Sequence, residues 1–398
     1  MSPNRPLIRT AAVTIVTALA AAAPARAERV HRLSLDGGGE VSATPTASGH
    51  GVVILDYRLE GLPRGLRFVA QLNTDTLRLA LEGLRVARGT TLGFEARGEA
   101  LIAGLLTDAW RDGRLEPGRG FYASYAQAAT WLTREAAPHF VVLSAGARRW
   151  LFNRTGATDP AFTLPSEAWV GELRAHYTYW ALQPDPSLWE PHRLFPRARG
   201  LAFGVDVEID LRSEARPWGA RDPSVFAPTD ERNPPSTAIW SVRGWLRAGV
   251  ALGPRLRLQL AEVVLWMRGE DDLVRARVGG MVPYVVPVAG LPWASILAGR
   301  LAAVELSLHG SLLRRGARDL ELGLLVDGAV VDDARRTGAP FAPAGLVGVG
   351  AFADLRLGAW QLDLRAGYSP TVIGGSEAAR HAFSALAFVG WSWSRSRK

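Results

Sequence analysis

The chain has 398 residues, no cysteine and a formal net charge of +8, and removing Arg5, Arg9 and Arg26 at its amino-terminal end leaves +5. The absence of cysteine excludes disulfide staples and thiolate metal sites, so stability has to come from burial or membrane insertion. Every basic residue but Lys398 is arginine, no basic run exceeds two residues, and aromatics are not interleaved with them as a single-strand groove requires, which argues against nucleic-acid binding.

The first 27 residues read as a secretory signal. Arg5 and Arg9 give the positive start, Thr10 to Ala23 the apolar run, and Ala25-Arg26-Ala27 a small-x-small cleavage site. Beyond it, the apolar stretch Tyr284–Val304 is broken by Pro287, Pro292 and Arg300, so no window predicts a membrane-spanning helix. Residues 28–49 hold a short strand at Val30–Leu35, then Gly37-Gly38-Gly39 and a Ser/Thr/Pro stretch, and read as an N-terminal tail or luminal segment. Leu33-Ser34-Leu35-Asp36-Gly37-Gly38-Gly39 invites comparison with the oxyanion turn of patatin-like lipases. The nucleophile pentad G-x-S-x-G that this chemistry needs does not occur, which leaves a flexible glycine turn.

From His50 to the end, apolar residues recur at every second position. The spacing predicts strands over Val53–Leu59, Leu66–Thr74, Leu77–Arg88, Thr91–Leu105, Gly120–Leu132, His139–Asn153, Trp169–Leu182, Leu201–Arg212, Ala238–Leu252 and Arg255–Arg268. Four more follow from Arg300 onward, and a last one at Ala382–Ser394. The alternation is plain in the last third, where Val304, Leu306 and Leu308 interleave with Glu305, Ser307 and His309. Segments of about ten residues with one apolar face suit strands crossing a bilayer at a tilt. Gly253-Pro254 is a tight connection, whereas Gln183–Arg199, Ser213–Thr237 and Gly269–Gly299 are long. The fold class is therefore all-β, a transmembrane antiparallel barrel of about 14–16 strands over residues 50–398 in the outer membrane of a Gram-negative bacterium. The 14 tryptophans recur near strand ends, as an interfacial aromatic girdle does.

The polar face of these strands carries Asp206, Glu208, Asp210, Arg212, Glu305, His309, Glu321, Asp327, Asp354, Arg356, Asp363 and Arg365. Such a luminal ladder fixes an inward loop, selects a solute, or simply keeps a water-filled interior polar. The acidic members face a connection with Arg268, Arg275 and Arg277 at hand, an arrangement suited to ion-pair docking. No metal, cofactor or nucleotide site is expected: the seven histidines are isolated, and Glu305 and His309, four apart on a strand, stand about 13 Å apart. The spacing gives no catalytic site, although barrel enzymes of the phospholipase or lipid A deacylase type pair His and Ser across strands, which spacing alone does not reveal.

The C-terminal order of strands resembles the bacterial surface-antigen superfamily of outer-membrane barrels, which includes the central subunit of the barrel-assembly machine and the two-partner-secretion transporters. The resemblance rests on Ala303-Val304-Glu305-Leu306, on Leu324-Leu325-Val326-Asp327-Gly328, on Gly348-Val349-Gly350-Ala351-Phe352 with Trp360–Arg365, and on Leu201–Arg212 ending in Asp-x-Arg. It implies a long loop folded into the lumen, where an arginine of a V-R-G-[FY] motif meets inward acids. The loop in that place, Gly269–Gly299, holds Arg275 and Arg277-Val278-Gly279-Gly280 instead; the one V-R-G-W, Val242–Trp245, falls inside a predicted strand. Strands begin within about 25 residues of the cleavage site, leaving no room for the family's periplasmic POTRA domains. The resemblance implies a transport or assembly barrel whose partners are outer-membrane lipid and a translocated protein, lipid or small solute. A porin-like diffusive channel and a barrel-embedded lipid-modifying hydrolase are the alternatives.

Overall fold

The computed structural model describes residues 29–397, except 44–46, 75, 100–109, 112–113, 116–117, 119, 184–198, 220–234, 282–285, 293, 316–317, 334–342 and 371–380. Sixteen antiparallel strands close into one barrel. In chain order they are β1 (Arg29–Ala43), β2 (Ala47–Glu60), β3 (Arg67–Asn73), β4 (Thr76–Ala87), β5 (Thr90–Glu99), β6 (Phe121–Ala136), β7 (His139–Arg154) and β8 (Trp169–Gln183). The second half comprises β9 (Arg199–Arg212), β10 (Ala238–Ala251), β11 (Leu256–Arg268), β12 (Ile296–Arg315), β13 (Arg318–Asp333), β14 (Pro343–Leu357), β15 (Trp360–Ser369) and β16 (Ala382–Arg397). Neighbours in sequence are neighbours in space, and β1 closes the ring on β16 from Arg29↔Arg397 to Ala43↔Phe383. The only helix among the described residues is a single turn at Pro63–Gly65, and none is long and apolar enough to cross a membrane.

Alternation decides which way each side chain faces. On β9, Val205, Val207 and Leu211 are exposed on the outer face while Asp210 is buried within. On β13, Leu322, Leu324, Val326 and Val330 face out, and Glu321, Leu325, Asp327 and Ala329 face in. A continuous outer band of exposed Leu and Val this extensive is stable only against lipid. Glu262 interrupts this band, exposed on the outer face of β11 beside Val264.

Three features depart from the sequence-based expectation. Residues 28–49 are not a tail: β1 and the start of β2 lie there, and β1 is the strand that closes the ring. Its apolar period is obscured because the inward positions carry Asp36, Gly38 and Glu40, and the outward ones include Gly37 and Gly39. Gly38 is needed where it stands, since a Cβ there would collide with the Ala387 carbonyl of β16. Next, β12 starts at Ile296, inside the stretch assigned to the loop, because Ile296–Ala298 extends past β11 to pair with the three-residue strand Ala276–Val278. Finally, the chain alternates ends at each strand, which puts the β8–β9 connection at the end of the tight β10–β11 turn, opposite the β9–β10 and β11–β12 connections. Its length does not sort it by side. The expected continuation of β5 to Leu105 lies outside the described residues.

Candidate functional site in the barrel lumen

The β11–β12 connection runs inside the barrel. Its root is Asp271, buried to 1% exposure, which accepts two hydrogen bonds from the Arg212 guanidinium of β9 at 2.6 and 3.0 Å. The Trp218 indole nitrogen donates a third at 3.2 Å. From there the loop turns back on itself: the Gly279 amide donates to Val286 O, and Val288 N to Gly280 O. Its far side reaches the wall formed by β13, β16 and β1. The Met281 amide donates to Glu40 Oε2 of β1 at 2.7 Å, the Ala289 amide to Asp327 Oδ2 of β13 at 2.8 Å, and the Gly290 amide to Ser384 Oγ of β16 at 3.0 Å. A segment that touches inward groups of β9, β13, β16 and β1 can only lie within the lumen.

Backbone approach explains the sequence at the contact. Gly290 has φ 87°, and a Cβ there would collide with the Tyr368–Ser369 backbone of β15. Gly348 and Gly367 supply the matching bare floor beneath Ala289 and Gly290. Apolar contacts seal the rest: Met281 and Ala289 pack with Ile54, Leu325, Phe352, Leu386 and Phe388. Val278, Val288 and Leu291 pack with Leu301, Val331 and Leu346.

Every polar-face residue expected from the sequence lies on an inward-facing strand position, but they fall into two groups. In the first, on β7–β9, His176 Nδ1 stands 2.5 Å from Asp206 Oδ1, Arg174 donates to Glu208 at 2.5 Å, and Arg148 binds Asp210. Arg212 belongs to the loop root. In the second, on β12–β15, Glu305 sits opposite Asp327, Glu321 opposite Asp354, and Asp354 opposite Asp363. Asp363 accepts from the Gln361 amide at 2.9 Å, Arg365 lies over the Phe352 ring at 5.9 Å, and Arg356 faces inward two positions beyond Asp354.

The arginine docking expected for the loop takes a different form. Arg268 is exposed on the outer face of β11, and Arg275 turns to Asp272 of the loop itself at 2.7 Å. Arg277 lies on the Ala276–Val278 strand opposite Leu297. Main-chain amides of the loop meet the wall's carboxylates at Glu40 and Asp327, and a buried amide costs less to desolvate than a buried cation. Gly279 and Gly280 form the turn of the loop with φ 107° and 91°. The sequence signal for this was the glycines rather than the arginines. Arg243 of the V-R-G-W stretch lies within β10.

Two constellations could not be read from spacing. Glu172, Glu208 and Asp210 bring carboxylate oxygens within 4.8 Å of one another across β8 and β9. Arg148 and Arg174 neutralise them, as a salt-bridge network does. On β12, Ser307 Oγ lies 3.0 Å from His309 Nε2, and His309 Nδ1 lies 2.7 Å from Glu321 Oε1 of β13.

No family model matches the sequence, and no curated protein matches it. Among solved structures, BamA from Haemophilus ducreyi lacking POTRA domains 1–3 superposes with TM-score 0.62 at 11% identity, over 92% of this chain and 71% of that one. CdiB from Escherichia coli superposes with TM-score 0.56 at 12% identity, over 94% of this chain and 64% of that one. Identities this low show the fold alone: a closed antiparallel transmembrane β-barrel whose architecture is similar to those two barrels.

Proposed function

We propose that this protein is an outer-membrane transport or assembly barrel, exported by cleavage after Ala27 and held shut at rest by its own β11–β12 loop. The observation that carries this reading is the loop's three-point attachment to the wall through Glu40, Asp327 and Ser384. A segment fastened to the wall at these points narrows the lumen, and its release would widen the passage. In a barrel that admits cargo on demand, release breaks single hydrogen bonds worth ~0.5–1.5 kcal/mol net each and separates the apolar contacts around Met281, Val288 and Ala289. The cargo would be an extended polypeptide, a lipid or a small solute.

Membrane placement rests on outer-face aromatics at both ends of the strands. Tyr122, Trp169, Trp240, Trp266 and Phe383 lie at one end, and Trp360 and Trp393 at the other. Rings at these two levels fit the two lipid–water interfaces.

A second reading, a narrow diffusive pore, is favoured by one observation. The loop root meets the β8–β9 side through Arg212 and Leu273, yet the ion pairs of β8 and β9 keep partial exposure, with 44% for the Arg174 side chain and 27% for Asp206. Conductance of the refolded mature chain in a planar bilayer separates the two. The closed-barrel reading expects brief, irregular openings that become large and steady when residues 281–289 are deleted. Large, steady conductance of the intact chain contradicts it and leaves the pore.

A further inference from the structure

We propose that Ser307, His309 and Glu321 form a latent nucleophilic centre for cleaving carboxylic esters of apolar acyl groups, covered at rest by the luminal loop. The inference rests on the loop reading above for how substrate gains access.

The geometry is that of a hydroxyl, an imidazole and a carboxylate in series. Ser307 and His309 are two apart on β12, so both face the lumen and the hydroxyl meets the ring, with Ser307 Oγ 3.0 Å from His309 Nε2. Glu321 reaches the other ring nitrogen from β13, at 2.7 Å. A carboxylate only accepts, so in the neutral ring the proton sits on Nδ1 and Nε2 is left to accept from the serine. Arg257 of β11 donates to the same Glu321 oxygen at 2.9 Å, which holds the carboxylate in place. Gln259 lies directly opposite Ser307 on β11, buried on the same inward face, where a side-chain amide can donate to a developing oxyanion. The nucleophile, base, orienting acid and oxyanion donor thus come from three consecutive strands of a rigid wall.

A second series, Thr178–His176–Asp206, occurs on β8 and β9. There the hydroxyl is secondary and hindered, and Arg174 lies on the same face two positions from His176, pairing with Glu208. The serine series is the better nucleophile.

What surrounds the serine selects the substrate. Ser307 and His309 are 2% and 1% exposed, and the Phe352 ring lies 4.7 Å from the His309 ring. Phe352 and Leu325 belong to the apolar cluster that Met281 and Ala289 of the loop complete. Withdrawing the loop leaves an apolar space beside the hydroxyl, the right surrounding for an acyl chain. In the reaction, Ser307 Oγ bonds to the ester carbonyl carbon as its proton moves to His309 Nε2. Collapse of the tetrahedral species breaks the bond to the alkoxy group, which leaves with that proton as the alcohol. Water then repeats the sequence at the acyl-serine, giving the carboxylic acid and free Ser307.

The test uses the refolded full chain and its 281–289 deletion, each treated with phenylmethylsulfonyl fluoride and assayed with p-nitrophenyl esters of increasing acyl length. A single adduct mapping to Ser307 is expected, forming faster in the deletion. It should be lost in Ser307→Ala, slowed by about 10²-fold in His309→Ala, and unaffected in Thr178→Ala. Gln259→Leu should lower ester turnover while leaving adduct formation measurable, which a purely structural role would not produce. No adduct at Ser307 in either protein, or an adduct indifferent to His309→Ala, overturns the proposal. Conductance of the same samples separates the two ideas: a deletion that conducts steadily but stays unlabelled sinks the ester chemistry alone. Labelling of an intact chain that already conducts steadily sinks the closed barrel alone.

Discussion

The lumen has two walls built from the same kind of strand and used in opposite ways. On β12–β16 and β1, the inward carboxylates are buried and receive amides of a folded loop, as with Glu40 at 1% and Asp327 at 2% exposure. On β4–β9 the inward charges pair with one another across neighbouring strands, as Arg78 does with Glu95 and Arg174 with Glu208. The difference comes from the small residues. Gly348 and Gly367 leave a bare floor on the first wall, so a backbone can lie against it. The second wall's inward positions instead carry arginines whose side chains fill the space. A barrel wall becomes a docking surface when its inward residues are short acids and glycines, and a self-paired polar lining when they are long.

That contrast can be broken in order of size. Arg212→Ala should be the most damaging single change, because it strands Asp271 at 1% exposure without its cation. Removing one partner of a buried pair costs ~3–5 kcal/mol, read as a lowered midpoint of urea unfolding from lipid vesicles. Asp327→Ala comes next, leaving the buried Ala289 amide without its acceptor at a cost of ~1–3 kcal/mol. Asp327→Asn should recover most of that loss by keeping a carbonyl oxygen in place. Arg174→Gln, on the self-paired wall, should shift stability by less than ~1 kcal/mol, since its pair with Glu208 is partly exposed. An equal response of both walls to these changes would erase the distinction. Least of all, Glu262→Leu on the outer face of β11 should raise the midpoint slightly, because a carboxylate against lipid is unfavourable.

Much of this was legible in the residues. Period-two alternation located the strands from β2 to β16 and assigned Glu305, Asp327 and Asp363 to the inner face, because one buried side forces the pattern. It missed β1, where Gly37, Gly38 and Gly39 hide the period and the strand is specified by its two neighbours instead. The loop's place was legible from resemblance, but its mode of attachment was not. Main-chain amides leave no side-chain signature, and only Gly290 and the facing Gly348 and Gly367 record the close approach. The Ser307–His309–Glu321 series was half visible: two members are two apart on one strand, whereas Glu321 joins through the β12–β13 register, which spacing does not fix.

The most direct test of the docked loop is thiol labelling with a membrane-impermeant maleimide, which the cysteine-free chain makes unambiguous. Met281→Cys reports the loop at its contact with Glu40, where Met281 is 4% exposed, and Arg174→Cys reports a partly exposed position on β8. With the loop seated on the wall, the thiol at 281 should react more slowly than that at 174 by at least about tenfold, the factor set by a local opening cost of ~1.4 kcal/mol. Deleting Asp327's acceptor through Asp327→Ala should narrow the gap. Equal rates at the two positions in the otherwise unaltered chain would mean that the loop does not rest on the wall, and the closed barrel would be wrong.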